Sequence, residues 1–559
     1  MAILENSKLF ASPKLDSKIK SANTTNKEKW LGYFLGPVGA ATLNFTVISY
    51  VNVFYTDVLD LTHSFPWVAA FLALFPVVSK ILDAITNIIM GQIIDKTRTR
   101  QGKARPWILI SAPLVPITFL LLFLIPKQHS LLQLGLVLLT YNLFFSFAYT
   151  IHTMSYTLMV PLSTSNVTQR DQLSLFSNIG FNMLPGTVVA LLFPAVLMPI
   201  LGADYDRWIL AMAILAALAF PLMLVEYFYT KERVTEAAEQ AGETKTIPLK
   251  EQLKICFSTK YWILLILFVF LYNIESNIMT VSLPYFCNWV LGTYNDGSTQ
   301  ALLSVVGKMP LGFGVFILWP LVKKFGKRKV MIVGFSLAAL AEIICWMFTK
   351  NMAMMLVGSF IYAIGFLPSY VYSALMADTL DYIEYKNGVR LDGLTASVFT
   401  ITNTVAVGIS QGVFNLGLSL SGYEAPVLVA EGVYNTQSAA TQSFISFGYI
   451  GIPFFCLVLM ALIMVFLNVE DHLPQIHEEL TARRKAECEA RGEVYVSPEE
   501  KAEMERLQSE IETEENRIAE LREKCAKKGL NFDEEEAKYQ KKLAEKKAKE
   551  AAKAARKRK

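Results

Sequence analysis

The chain has 559 residues, is 53% hydrophobic, and carries only 18% charged residues with a formal net charge of +4. A soluble domain of this length would hold roughly 25% charge, so an ordinary soluble protein is excluded. The small net charge averages an apolar body and a charged tail, and gives no reason to expect nucleic acid as a partner. The six cysteines are scattered without C-x-x-C spacing, which suggests neither a disulfide framework nor a zinc site.

Residues 1–30 are polar and lysine-rich, and no cleavable apolar run precedes them. Apolar stretches then recur at 31–55, 66–94, 106–125, 131–160, 175–201 and 207–229. Each is near the roughly 20 residues that a helix needs to cross a bilayer core. A polar loop at 231–258 follows, and then stretches at 259–292, 299–322, 329–348, 352–380, 391–420 and 440–468. The pattern predicts an all-α membrane protein of about twelve transmembrane helices. It divides into an N-terminal six-helix bundle (31–230) and a C-terminal six-helix bundle (259–468). Two similar halves are a common plan for secondary transporters.

Lys96, Arg98, Arg100, Lys103 and Arg105 lie between the second and third stretches. Lys323, Lys324, Lys327, Arg328 and Lys329 lie between the eighth and ninth, the equivalent place in the second half. The positive-inside rule assigns both loops to the cytoplasm. An even helix count then places both termini there, in a multi-pass protein of the cytoplasmic membrane.

Residues 469–559 form a separate region rich in Glu, Lys, Arg and Ala. Met504, Leu507, Ile511, Ile518, Leu521 and Cys525 fall at a/d heptad spacing, broken by Glu514. Gly529 and Asn531 are expected to end this helix, and Lys541 to Lys559 is a basic run. The region reads as a solvated cytoplasmic helical tail; contact with anionic lipid or with a partner protein is its functional alternative.

Ionisable groups inside apolar spans cost roughly 2.5–3.5 kcal/mol to insert and mark candidate sites. Asp83, Thr86 and Asn87 stand at i, i+3 and i+4 on the second span, so they share a face. Such an oxygen-rich patch can coordinate a small cation, hold a proton or bond sugar hydroxyls; it can equally be an interhelical hydrogen-bond knot. On the fourth span Tyr149, His152 and Tyr156 form a stripe beside Thr150 and Thr153. His152 suits a proton relay or a satisfied interhelical contact. Glu275 is a second deep carboxylate, on the seventh span. Lys308 and Glu342 are expected to pair with each other. Arg98, Arg100, Lys103 and Arg105 are expected to pair with Asp95 and, across the halves, with Asp378 and Asp381. Those pairs would gate the cytoplasmic side. No H-E-x-x-H, G-x-S-x-G or G-x-x-x-x-G-K-[ST] motif occurs, so neither an enzyme nor an ATP-driven pump is indicated.

The segment Asp83-Ala-Ile-Thr86-Asn87, with Gly91, Asp95, Thr97-Arg98-Thr-Arg100-Gln-Gly102-Lys103-Ala-Arg105-Pro106-Trp107, resembles the signature of the glycoside–pentoside–hexuronide:cation symporters. Tyr55-Thr56-Asp57-Val58, Arg170-Asp171-Gln172-Leu173 and the run from Ala377-Asp378 through Asp381-Tyr382 to Val389-Arg390 agree, in order, over roughly residues 30–470. The resemblance implies a major-facilitator fold and alternating access between its halves. It also implies a sugar or glycoside carried with a coupling H⁺ or Na⁺ and no other cofactor.

The melibiose permease-like pattern has Asp, Asn and Asp on the second span where this chain has Asp83, Thr86 and Asn87; its fourth-span threonine is matched by Thr150. Its first-span aspartate falls near Ala41, a turn from Asn44; its fourth-span aspartate and tryptophan fall at Thr153 and Thr157; its fifth-span arginine falls at Asn178; and its eleventh-span lysine falls at Thr404, beside Asn403. The fold therefore carries over while the charged sugar and sodium sites do not, leaving a more neutral cavity that still suits a polyol. Cation or proton binding is expected at Asp83, Thr86, Asn87 and Thr150. Substrate binding is expected at Asn44, Tyr149, His152, Thr153, Asn178, Glu275 and Asn403. A lone carboxylate in a partly dry site is disfavoured in its charged form, which favours a proton over sodium. A carrier of a non-sugar solute and a transporter-derived sensor are the alternatives.

Overall fold

The computed structural model describes residues 12–61, 67–128, 130–234, 248–430, 433–490 and 495–541, with isolated residues between. Nearly half of the expected central loop, from 235 to 247, and the end of the basic run, from 546, lie outside the described residues. In a bilayer each backbone polar group needs an internal partner, and the apolar stretches meet this as helices. In chain order these are α1 (Glu28–Val58), α2 (Val68–Asp95), α3 (Arg105–Leu121), α4 (Leu131–Ser163), α5 (Val167–Leu201), α6 (Tyr205–Tyr229) and α7 (Lys260–Leu291). They continue as α8 (298–325), α9 (Lys327–Met347), α10 (Met352–Asn387), α11 (Asp392–Leu420) and α12 (439–466). Among the described residues ten helical stretches are long and apolar enough to cross a membrane. The other two stand at the third and eighth expected places: α3 has 17 residues, and α8 is broken at Lys308 and Gly314.

The chain is thus a multi-pass membrane protein of the major-facilitator fold. Its halves meet most extensively along α2 against α11, and again along α1 against α7. Small residues make this close approach possible. A Cβ on Gly412 would stand 2.2 Å from the Ala73 carbonyl oxygen, and one on Gly408 would stand 2.9 Å from Val77 Cα. Gly412→Ala must therefore push α2 and α11 apart. Its expected cost is about 1–3 kcal/mol, as for other overpacked contacts, read as a lowered thermal midpoint of the detergent-solubilised protein. A midpoint equal to that of the wild type would count against this contact.

Away from the basic loops, the halves are tied by hydrogen bonds. Asn52 Nδ2 donates to Tyr285 Oη at 2.9 Å, and Thr56 Oγ1 lies 2.8 Å from the same oxygen. Tyr423 Oη donates to Asp57 Oδ1 at 2.6 Å. Gln300 Nε2 donates to Tyr50 Oη at 2.9 Å. These groups are buried, so the contacts form a dry latch across the two halves.

The basic-loop face is organised differently. Arg100 pairs with Asp16 at 2.7 Å, and Lys103 with Asp95 at 3.9 Å. Arg98 donates to the Asp95 carbonyl at 2.8 Å. Arg105 is buried, donates to the Tyr227 carbonyl at 3.0 Å and lies over the Tyr227 ring. In the second half Asp378 is bonded by Lys327, and Asp381 by Arg390 and His477. Each of these pairs stays within one half of the chain or its adjoining terminal segment. The structure thus shows the expected gate residues Asp95, Arg98, Arg100, Arg105, Asp378 and Asp381 with local partners, in a state latched on the other face. Glu232 accepts the backbone N–H groups of Lys103, Ala104 and Arg105 at 2.8–2.9 Å, capping the start of α3. Burial pushes its carboxyl up from the ordinary range, against the lowering effect of those three donors.

The tail forms two helices, α13 (Leu473–Ala490) and α14 (Pro498–Lys528). Ser497 and Glu500 make a capping box at the start of α14, and Gly529, at φ 64°, ends it as expected. Half of the expected heptad seam, Met504, Leu507 and Ile511, is exposed, while Ile518 and Leu521 are half-buried and Cys525 is buried. The hydrogen bonds to the body come from the polar face, with Ser509 O and Thr513 Oγ1 accepting from Asn166 Nδ2 and Gln169 Nε2, and Glu520 accepting from Ser21. Meanwhile Arg484 of α13 donates to both oxygens of Glu384 on α10. The tail is therefore bound at both halves rather than standing free in solvent.

Candidate functional site

A cavity of about 230 Å³ lies between the halves. Four helices supply most of its polar lining. Asn44 comes from α1, and Lys80, Asp83 and Asn87 come from α2. Tyr149, Thr150 and Thr153 come from α4, and Asn403, Thr404 and Gln411 from α11. Seven of the residues expected from the sequence thus meet in one place: Asn44, Asp83, Asn87, Tyr149, Thr150, Thr153 and Asn403.

The remaining four lie elsewhere. Thr86 Oγ1 donates back to the Asp83 carbonyl at 3.0 Å and is used within its own helix. Asn178 is exposed and does not line the cavity. Glu275 is fully buried inside the second half, where Tyr362 Oη donates to one oxygen and Ser276 Oγ to the other at 3.2 Å. The nearby Lys308 lies within electrostatic reach of both Glu275 and its expected partner Glu342. His152 is fully buried inside the first half, facing Ser111 and Glu226.

The chief surprise is the partner of Asp83. Lys80 Nζ stands 2.7 Å from Asp83 Oδ2, and both side chains are about nine-tenths buried. Ser146 Oγ donates to the other oxygen. The ammonium also sits 3.8 Å from the centre of the Phe145 ring, a favourable cation–π distance. The positive charge beside this carboxylate is thus a side chain of the protein. Lys80 and Asp83 are three residues apart on a helix, so the pairing was legible from spacing alone. Ser146 was not, because a π-helical segment over Leu143–Tyr149 re-aims its side chain. Just after this segment Thr150 Oγ1 donates to the Phe145 carbonyl, five residues back, at 3.0 Å.

Around this ion pair the cavity is neutral. Asn277, Asn403 and Thr404 face it from the second half. Asn44 Oδ1 is buried without a hydrogen-bond partner, an unusual state for a buried acceptor. The arrangement can bind a polar, hydroxyl-bearing solute through amides and hydroxyls, with one fixed dipole from Lys80 and Asp83.

Comparison with known proteins agrees with this reading of the fold. Residues 32–471 match the family model described as MFS/sugar transport protein. The chain is 26% identical over 462 residues to the isoprimeverose transporter of Lactiplantibacillus pentosus, covering 80% of this chain and 90% of that one. It is 27% identical over 481 residues to the inner membrane symporter YicJ of Escherichia coli, covering 84% and 98%. The crystal structure of the nucleoside transporter NupG superposes with a TM-score of 0.51 at 14% identity, covering 79% of this chain and 99% of that one; at that identity the likeness concerns the fold. The family consists of membrane transporters and not enzymes, and with the model spanning 32–471 this chain belongs to it: it is a member of the MFS/sugar transport protein family.

Proposed function

We propose that the protein is a proton-coupled symporter that carries a sugar or glycoside across the cytoplasmic membrane by alternating access. The observation that carries this reading is the neutral, amide- and hydroxyl-lined cavity with its unpartnered Asn44 Oδ1. Sugar hydroxyls both donate and accept, so they suit such a lining. A volume of about 230 Å³ is below the roughly 300–1,000 Å³ of most small-molecule sites, which favours a short sugar over a long oligosaccharide. The named relative that transports isoprimeverose points to the same class.

The coupling ion follows from the ion pair. A sodium ion at Asp83 would have to displace an ammonium at 2.7 Å, whereas a proton needs no such vacancy. A proton entering down 100 mV releases roughly 2.3 kcal/mol, enough for about fifty-fold accumulation. Placing the basic loops and both termini in the cytoplasm makes the latched face the extracellular one.

The test is uptake of radiolabelled isoprimeverose, beside a panel of monosaccharides, into proteoliposomes. Accumulation should follow an imposed proton gradient and disappear when that gradient is collapsed. Accumulation that requires a sodium gradient at fixed pH would overturn the choice of ion. No uptake of any sugar in the panel would overturn the substrate class.

A further inference from the structure

A second buried acid lies in the first half, outside the cavity. Glu226 on α6 is fully buried, and neither carboxylate oxygen has a hydrogen-bond partner. His152 Nε2 stands 3.8 Å from Glu226 Oε2 and is likewise unpartnered. The other ring nitrogen, Nδ1, lies 3.3 Å from Ser111 Oγ on α3.

Among the described residues no other charged group acts on the pair. From α4 the titratable groups facing it are Tyr149, His152 and Tyr156, with Tyr149 and Tyr156 both within electrostatic reach of Glu226. From α3, besides Ser111, the buried cation is Arg105, whose electrostatic partners are Tyr227, Glu232, Asp16 and Tyr33. From α1 the neighbour is Gly36: a Cβ there would stand 2.5 Å from Glu226 Cβ, so the helices touch with no side chain between them.

A buried ionised carboxylate with neither cation nor donor is strongly disfavoured. The site is electrically neutral in two forms only: Glu226 protonated beside a neutral His152, or Glu226 ionised beside a protonated His152. Both forms contain the same single proton. Removing it leaves a net negative charge in a dry site, which becomes tolerable when water reaches the pair.

We propose that His152 and Glu226 together form the proton-holding pair of this transporter, and that this pair, rather than Asp83, carries the coupling proton. Asp83 already has a permanent counter-charge in Lys80. The His152–Glu226 pair has none. It is linked to the cavity by Tyr149, which lines it, lies 6.4 Å from the His152 ring between centroids, and feels the charge of Glu226. A solute bound against Tyr149 and Thr153 is thus one side chain from the proton. In the transport step the proton passes from the pair to cavity water and no other bond is made or broken. The inference rests on the proton-coupled reading above and names the groups that perform it.

Two measurements test it separately. Infrared difference spectra of the protein in lipid nanodiscs, acid minus alkaline, need no substrate. A carboxyl signal should be present in the wild type, absent in Glu226→Gln, altered in His152→Asn, and retained in Asp83→Asn, because coupled groups titrate as a unit. An unchanged signal in Glu226→Gln overturns the proposal. Glutamine is neutral and nearly isosteric, so the variant should fold with a thermal midpoint at least equal to that of the wild type. The second measurement is isoprimeverose transport in proteoliposomes. Glu226→Gln should retain counterflow exchange and lose about tenfold or more of proton-driven accumulation. Undiminished accumulation in this variant, with a proton-driven wild type, overturns the proposal alone. A wild type driven only by sodium overturns the coupling reading, and the spectra still report whether the pair holds a proton.

Discussion

Truncating Lys80 to alanine should lower the stability of the protein by roughly 3–5 kcal/mol, the range for removing one partner of a buried pair. Both side chains are about 10% exposed, and cavity water will draw the value toward the lower end. The loss arises from the Asp83 carboxylate that remains, held by Ser146 but without its counter-charge. Asp83→Asn in the same chain should therefore restore most of it, because two neutral side chains leave nothing uncompensated. The alanine variant also acquires what the wild type lacks, a vacant place for a cation beside Asp83, Asn87 and Thr150. Sodium should raise the thermal midpoint of Lys80→Ala and leave that of the wild type and of the double variant unchanged. Thermal unfolding of the four proteins of the cycle, with and without sodium, checks all three expectations. A single variant as stable as the wild type would show that the ion pair is absent in the folded protein.

Opening the latched face should follow from loss of its charged hydrogen bond. Tyr423 Oη donates to Asp57 Oδ1 at 2.6 Å, and Thr56 Oγ1 donates to the same oxygen at 2.7 Å. Thr56 also meets Tyr285 of the second half. Hydrogen bonds to charged groups contribute roughly 1.5–3 kcal/mol, so removing the link between halves should shift their equilibrium by about ten- to a hundredfold. Tyr423→Phe is the conservative variant, since it removes the donor and keeps the ring that packs against Tyr285 and Trp289. Spin labels at Trp67 and Leu420, both exposed on this face, should report a longer-distance population that is minor in the wild type. An identical distance distribution in the two proteins would show that the latch is held by packing rather than by this bond.

Much of this architecture is legible in the sequence because it depends on local periodicity. Span length, the two basic loops and the Ser497 and Gly529 boundaries of α14 are properties of contiguous residues, and helix physics reads them directly. The shared face of Asp83 and Asn87, and the spacing of Lys80 from Asp83, are of the same kind. Asn44, Thr150, Thr153 and Asn403 were placed in the site by their match to a family pattern and Tyr149 by the stripe on its span, and they do line one cavity.

What the sequence leaves open is the partner of each buried polar group. Glu226 lies three residues from the end of α6, where a carboxylate reads as one that reaches the membrane surface. Only the crossing of α1 at Gly36 and the approach of His152 make it a buried acid. His152 and Glu275 look alike as lone ionisable residues in apolar spans, yet both turn away from the cavity into their own halves. The hydrogen bonds that dock α14 were likewise decided by partners on distant segments, at Asn166 and Gln169. The sequence by itself determined which stretches cross the membrane, which loops are basic and which helix face of α2 carries the carboxylate, because each is fixed by residues within two turns of one another. The tertiary structure alone decided that Ser146 reaches Asp83, that Tyr423 closes on Asp57 across 366 residues, and that His152 faces Glu226. These outcomes depend on how helices from distant parts of the chain pack, and a hydrogen bond or ion pair formed by packing leaves no periodic trace in the chain.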